Sequence, residues 1–397
     1  MNFFSHIELP KALIDISYLD LNMFLGSCFA ENIGNKFIEH KFQVDLNPFG
    51  VLYNPESIAC SLQRLMENVP INGGELFSHQ ELYHSFSHHS SFSDTSQEAC
   101  LQKINERIAL SAGNLRKASK LFITFGTAYG YYLAETGQVV SNCHKLPGKH
   151  FTRKRLSIQQ IVESWEKLLA DLFTINKELK IIFSVSPVRY WQDGVHENQL
   201  SKSTLLLAVE ELRMRFPDEI VYFPAYELML DELRDYRFYA DDLFHLSGMA
   251  IQFIWESLVE VSMNEQTKQL MKEISQIHKS LSHKPFNYSD ELHKQFISQT
   301  LLKIEQLRTK TPYLCFENEI EALKKRSRNQ EAGIRRPESG GRRLEAGDRR
   351  QETGIRRQEL ESQEYQLPSA LADGTRQPTT SGFSQTHKIR EIRNQEL

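Results

Sequence analysis

Apolar positions along the first two-thirds of the chain follow two alternating rhythms. Short runs that are apolar at consecutive positions, as a strand buried on both faces requires, occur at 19–26, 42–46, 120–125, 180–185 and 219–223. Leu121-Phe122-Ile123-Thr124-Phe125 and Ile181-Ile182-Phe183-Ser184-Val185 are the clearest of them. Between these runs, apolar residues recur at helical spacing over 31–41, 55–67, 157–176 and 198–216. Ser157 followed by Gln160 has the spacing of a capping box. This alternation predicts an α/β fold: a three-layer α/β/α, doubly wound parallel sheet of about five strands.

The rhythm then changes. From 247 onward the pattern is helical alone, over 247–263, 264–281, 289–309 and 317–325. The Leu, Ile and Phe stripe of these helices needs a cover, either elsewhere in the chain or from a partner such as a second copy in a homodimer. After about Arg326 a seven-residue unit repeats, as in Ile334-Arg335-Arg336-Pro337-Glu338-Ser339-Gly340. Only one position per unit is ever apolar, whereas a coiled coil needs two, so 326–397 reads as a disordered tail. The expected organisation is an α/β domain over 1–265, a helical extension over 266–325, and that tail.

Composition narrows the class. A formal net charge of -4 with 25% charged residues is that of a soluble globular chain with no general pull toward nucleic acid. The tail's paired arginines could meet RNA or an acidic surface. Its 14 Lys and Arg are, however, interleaved with 11 Asp and Glu, which favours a solvated expansion. Five scattered cysteines make neither a disulfide framework nor a paired-Cys zinc site. No basic-then-apolar leader opens the sequence and no run is long enough to span a bilayer. A cytoplasmic setting is therefore expected.

In an open α/β sheet, ligands bind beyond the carboxyl ends of the strands, and each predicted strand empties there into polar, glycine or aromatic residues. The first leads into Gly26-Ser27-Cys28, a sharp turn that lifts a thiol to the start of a helix, where unpaired N–H groups favour a thiolate and a developing oxyanion. The alternative is a small buried hydrophobe in an ordinary turn. The second strand leads into Asn47-Pro48-Phe49-Gly50, the third into Gly126-Thr127-Ala128, and the fourth into Ser186-Pro187-Val188-Arg189-Tyr190. Arg189 and Tyr190 stand where a substrate carboxylate, phosphate or sugar would be gripped. Past the fifth comes Asp242-Leu243-Phe244-His245, whose spacing lets the carboxylate hold one ring nitrogen while the other faces a nucleophile. Asp235 and Asp241 lack that spacing. His79, His84, His88 and His89 crowd 70–100 without a helical period; they suit a loop over the site better than a metal centre. Cys143 beside His144 is a weak second pair, since neighbours in extended chain point to opposite faces. No Gly-x-Gly-x-x-Gly or Walker loop appears, and no cofactor is expected.

The run Gly26-Ser27-Cys28-Phe29-Ala30 resembles the signature of the GSCFA family, a distant relative of the SGNH (GDSL) lipases and esterases, over roughly 1–265. In that superfamily Gly-Asp-Ser stands where this chain has Gly26-Ser27-Cys28, and Asp242-x-x-His245 matches its last block. The resemblance implies Cys28 as nucleophile, His245 as base and Asp242 as its orienting carboxylate. It also implies oxyanion or binding roles for Ser27, Gly50 and Gly126. The superfamily's third-block Gly-x-Asn is Gly126-Thr127-Ala128 here, so its asparagine is missing. Asn142, in an Asn-Cys-His stretch similar to one in GSCFA members, is the candidate replacement. Asn47, Thr127, His144, Arg189 and Tyr190 would line the cleft. The implied activity is hydrolysis or transfer of an acyl group on a small-molecule or glycan ester. The alternative is a catalytically inactive binding or scaffolding domain.

Overall fold

The computed structural model describes residues 5–10, 13–190, 193–282 and 291–334. Its strands, in chain order, are β1 (Leu21–Gly26), β2 (Gln43–Leu46), β3 (Leu76–His79), β4 (Leu82–Ser85), β5 (Lys120–Phe125), β6 (Tyr129–Leu133), β7 (Val139–Val140), β8 (Phe151–Arg155), β9 (Lys180–Val185) and β10 (Ile220–Tyr222). The helices are α1 (Cys28–Glu39), α2 (Pro55–Glu67), α3 (Gln97–Leu115), α4 (Ile158–Ile175), α5 (Gly194–Arg215), the single turn α6 (Ala225–Glu227), α7 (Gly248–Ser262), α8 (Glu265–Ser282), α9 (Glu291–Lys310) and α10 (Glu317–Ile334).

The central sheet is parallel throughout, in the order β10-β9-β5-β1-β2. Alternation along each strand divides its side chains between two cores. Met23, Leu25, Ile123 and Phe183 join Leu62 of α2, Trp165 of α4 and Leu205 of α5 on one face. Phe24, Phe122 and Ile182 join Phe37 of α1 and Trp255 of α7 on the other. Phe24 and Phe122 stack at 4.3 Å and Phe37 meets both rings edge-on at 5.2 and 5.3 Å. That aromatic cluster fixes α1, and with it Cys28, against the strand ends. Helices begin where local chemistry allows it. Asn54 accepts from Ser57 N at 2.8 Å ahead of Pro55, and Ser157 and Gln160 form the expected capping box.

The C-terminal helices are packed within the chain. Ile274 of α8, Ile304 of α9 and Leu323 of α10 lie in the same core as Trp255. Helix α10 runs to Ile334, past the composition change at Arg326, and the remaining repeats lie outside the described residues. The hairpin β3–β4, helix α3 and the antiparallel sheet β7-β6-β8 were not legible as strands or helices in the apolar pattern. Their segments are short or mixed in polarity, and α3 is half exposed along its length. No helix among the described residues is long and apolar enough to cross a membrane.

Candidate active site

The strand order places β1 and β5 side by side with their chain connections leaving in opposite directions, which opens a crevice at their carboxyl ends. Gly26, the last residue of β1, pairs with Thr124 of β5. Its φ is +151°, and a Cβ there would meet the Thr124 carbonyl oxygen at 2.4 Å, so only glycine lets the chain turn so close to the neighbouring strand. Ser27 then caps α1 without a side-chain bond, its hydroxyl buried and unpartnered among the described residues. Cys28 opens the helix, partly exposed.

The thiol's surroundings pull in opposing directions. Burial pushes it up, Lys202 draws it down, Glu31 pushes it up, and the Phe29 and Cys28 backbone N–H groups draw it down, for a net rise to about 11. Burial thus outweighs the helix N-terminus, and at neutral pH the resting sulfur carries its proton. The ordinary thiol value of 9.0 does not apply here. Attack by this sulfur requires a proton acceptor.

Hydrogen-bonded to Gly26, two residues before the thiol, is Asn47, in the turn after β2. Its φ is +42°, a left-handed conformation that asparagine tolerates better than most residues. Its N–H donates to Phe24 O at 2.9 Å, and its Oδ1 accepts from Gly26 N at 3.1 Å. Its Nδ2 is buried and unpartnered among the described residues. The Gly50 N–H, by contrast, donates to Asn47 O at 2.7 Å and closes the turn. Segment 84–92 packs on this turn: His88 stacks on Phe49 at 4.6 Å, His89 N donates to Phe49 O at 2.9 Å, and a Cβ on Gly50 would lie 2.1 Å from the His89 Cβ.

Asn142 and His144 belong to this wall. The Asn142 amide is occupied on both sides, accepting from His144 N at 2.8 Å and donating to Ser90 Oγ at 3.4 Å. The buried His144 donates from Nε2 to Ser85 O at 2.9 Å, and burial lowers its pKa to about 4. His88, fully buried, is lowered to about 3 by burial and by Arg64 and His144. Cys143 is pushed up to about 12 by burial. Among the described residues no group of three His, Cys, Asp or Glu side chains is arranged to hold a metal ion.

The ends of β5 and β9 are held from one face of α5. Asn198 Oδ1 accepts from Tyr190 N at 2.9 Å, and Ser201 Oγ accepts from Ala128 N at 2.8 Å and bonds Thr127 Oγ1 at 3.2 Å. Lys202, only 1% exposed, donates from Nζ to Gly126 O at 2.6 Å and to Ser186 O at 2.7 Å. Gly126 N–H in turn donates to Tyr53 O at 2.7 Å. Burial lowers Lys202 to about 7, the Cys28 thiol acting against this fall and Arg189 adding to it. The same Arg189 draws down Tyr226 and Tyr239, both otherwise pushed up by burial. Lys202 was not singled out by sequence. A lone lysine between Ser201 and Ser203 reads as solvated helix surface, and only the i, i+3, i+4, i+7 run of Asn198, Ser201, Lys202 and Leu205 hints at a buried polar face.

Tyr239 opens a tight hairpin, bridged to Leu246, that carries the Asp-x-x-His motif. His245 Nδ1 donates to Asp242 Oδ2 at 2.6 Å, while Asp242 Oδ1 accepts from Phe244 N and His245 N at 3.0 and 2.9 Å. Burial pushes the Asp242 carboxyl up, but these bonds outweigh it and leave it below its ordinary value. The His245 side chain is 43% exposed. The fold thus pairs Asp242 with His245, while Cys28 and Lys202 influence each other electrostatically. Among the described residues no hydrogen bond joins the thiol to the His245 ring.

The family model described as the GSCFA family matches residues 22–258, from β1 through most of α7. The chain belongs to the GSCFA family. A second model, the C-terminal domain of GSCFA domain proteins, matches residues 274–329 across α8 to α10. No curated protein matches the chain. The GSCFA match therefore spans Cys28, Asn47, Lys202, Asp242 and His245 together.

Proposed function

We propose that this GSCFA protein cleaves or transfers an ester-linked acyl group through Cys28, on a scaffold related to the SGNH hydrolases. The reading is carried by one observation: a partly exposed cysteine at a helix N-terminus, at the crevice where the strand order reverses, with a buried and unpartnered amide donor on the residue hydrogen-bonded to Gly26. Residues 1–265 would hold the chemistry, with 266–325 as a helical extension. A working thiol fits a reducing compartment such as the cytoplasm.

With Nδ1 of His245 held by Asp242, Nε2 is the nitrogen left to take the Cys28 proton. The thiolate attacks the ester carbonyl, and the charge moves to the carbonyl oxygen. Asn47 Nδ2 and the Cys28 N–H are the donors for that oxyanion; the Gly50, Gly126 and Asn142 donors are engaged elsewhere in this conformation. Collapse expels the alcohol, which recovers its proton from His245, and leaves a thioester. Water or a second hydroxyl then releases the acyl group by the reverse proton path. Arg189 and Tyr190 border the crevice on the β9 side as candidate substrate contacts, and a small-molecule or glycan ester is the substrate class.

The engaged glycine donors and the upward-shifted thiol favour one second reading, a binding domain that kept the cleft without turnover. An activated acetyl ester separates the two. The expected result is an acetyl adduct on the Cys28 peptide that forms faster than on Cys60 or Cys315, is absent in Cys28→Ala, and slows by about 10²–10⁴ in His245→Ala. Equal labelling of the three cysteines would leave the binding reading.

A further inference from the structure

Lys202 is the most deeply buried charged side chain among the described residues, and the acyl-transfer scheme above leaves it without a part. Its place follows from register. Gly26 of β1 lies level with Thr124 of β5, and Phe125 of β5 lies level with Val185 of β9. The residues just past these ends, Cys28, Gly126 and Ser186, therefore line one rim across adjacent strands about 5 Å apart. Nζ of Lys202 sits on this rim, bonded to Gly126 O and Ser186 O. Two of its three protons are so placed, and no third acceptor binds it among the described residues. The charged and titratable groups facing it are the Cys28 thiol of α1, Arg189 from the loop after β9, and the Tyr226 ring of α6, whose centroid is 5.9 Å from Nζ. Glu31 faces the thiol from within α1.

We propose that Lys202 is a positioning residue of this site, whose ammonium faces Cys28 across the β1–β5 rim and sets the ionisation of its thiol. It does so in two ways. While the amine is protonated, its charge favours the thiolate, opposing both burial and Glu31. The amine also exchanges a proton with the sulfur: Cys28–SH and Lys202–NH2 become Cys28–S⁻ and Lys202–NH3⁺, with the proton conserved between them and no other reactant. The mutual influence of the two groups, each shifting the other toward its charged form, agrees with this placement. Two carbonyl bonds alone would make Lys202 a brace between β5 and β9. A brace has no effect on the pH at which Cys28 reacts.

The inference rests on Cys28 being the reactive thiol but not on turnover, so its test reads alkylation instead. The rate of Cys28 modification by iodoacetamide is followed against pH in the full-length protein, peptide by peptide, with Cys60 as internal reference. Lys202→Met is expected to move the Cys28 midpoint upward by about one unit or more, slowing modification near pH 8 about tenfold, with Cys60 unchanged. If the Met variant does not fold, Lys202→Gln, which still offers N–H donors for the carbonyls, is read in the same way with the same expectation. A midpoint that stays at the wild-type value in the folded variant would reduce Lys202 to a brace and overturn the proposal. Absence of acyl transfer by the wild-type protein, with the midpoint shift intact, would instead strike the acyl-transfer reading alone.

Discussion

Asn47 combines three costs that a structural residue would avoid: positive φ, near-complete burial at 7% exposure, and an amide nitrogen with no partner among the described residues. An unsatisfied buried donor costs about 1–3 kcal/mol, and strained, unsatisfied groups of this kind concentrate at sites where a ligand completes them. The proposed oxyanion role would account for all three. Asn47→Gly tolerates the backbone conformation and loses one bond, to Gly26 N, so its stability should fall by only about 1 kcal/mol. Its kcat for an activated ester should fall by about 10²–10³. An unchanged kcat in a folded variant would return the oxyanion to other donors. Asn47 was expected in the cleft from its place after the second apolar run. Its unpartnered nitrogen was not, because satisfaction depends on atoms from β1 that approach only after folding.

Helix α3 shows how an element far from the crevice holds the site. Asp45, 3% exposed at the end of β2, accepts from Arg107 at 2.5 Å and from Asn114 at 2.8 Å, and Arg107 also donates to Leu46 O at 3.0 Å. These bonds anchor the strand end immediately before Asn47. Arg107→Met would leave a buried carboxylate without its cation, a loss of about 3 kcal/mol, measurable as a lower urea midpoint with the slope unchanged. A midpoint equal to wild type would mean that Asn114 and water suffice. Helix α5 is the complementary case. Its buried face begins with Asn198, Ser201 and Lys202 before turning apolar at Leu205, Ala208 and Val209. An apolar stripe marks the second half of the helix and not the first, so the sequence reading began it at 198 rather than Gly194. Polar residues that bind loop ends carry no periodic signal of their own.

Across the whole molecule, the histidine-rich wall makes the fold acid-sensitive. His88 and His144 are held neutral, at about 3 and about 4 against an ordinary 6.5. A depressed folded-state pKa contributes stability that is complete above the unfolded value and is lost as pH falls toward the folded one. The urea midpoint should therefore decline from pH 6.5 toward pH 4, where His144 begins to protonate in the folded state. Carboxylates add to any such decline, so the comparison that isolates the wall is His88→Phe, which preserves an aromatic ring against Phe49. Its decline should be shallower, and a parallel curve would assign the acid loss to other groups. At the alkaline end the signs differ. Lys202, lowered from 10.5 to about 7, adds stability as pH rises through that interval, while Cys28, raised from 9.0 to about 11, removes it between those values.

Local spacing was enough to establish the strand–helix alternation, the parallel sheet, the helical C-terminal region and the turn that presents Cys28. Each of these follows from which few neighbouring residues are apolar, small or able to cap. The Asp242–His245 bond was equally local, since three residues of hairpin bring the groups together. The mutual influence of Cys28 and Lys202, the net upward shift of the thiol, and the engagement of the Gly50, Gly126 and Asn142 donors arose only on folding. Desolvation and pairing depend on which distant segments share a rim of the sheet, and burial there outweighed the helix N-terminus that the sequence had suggested would dominate.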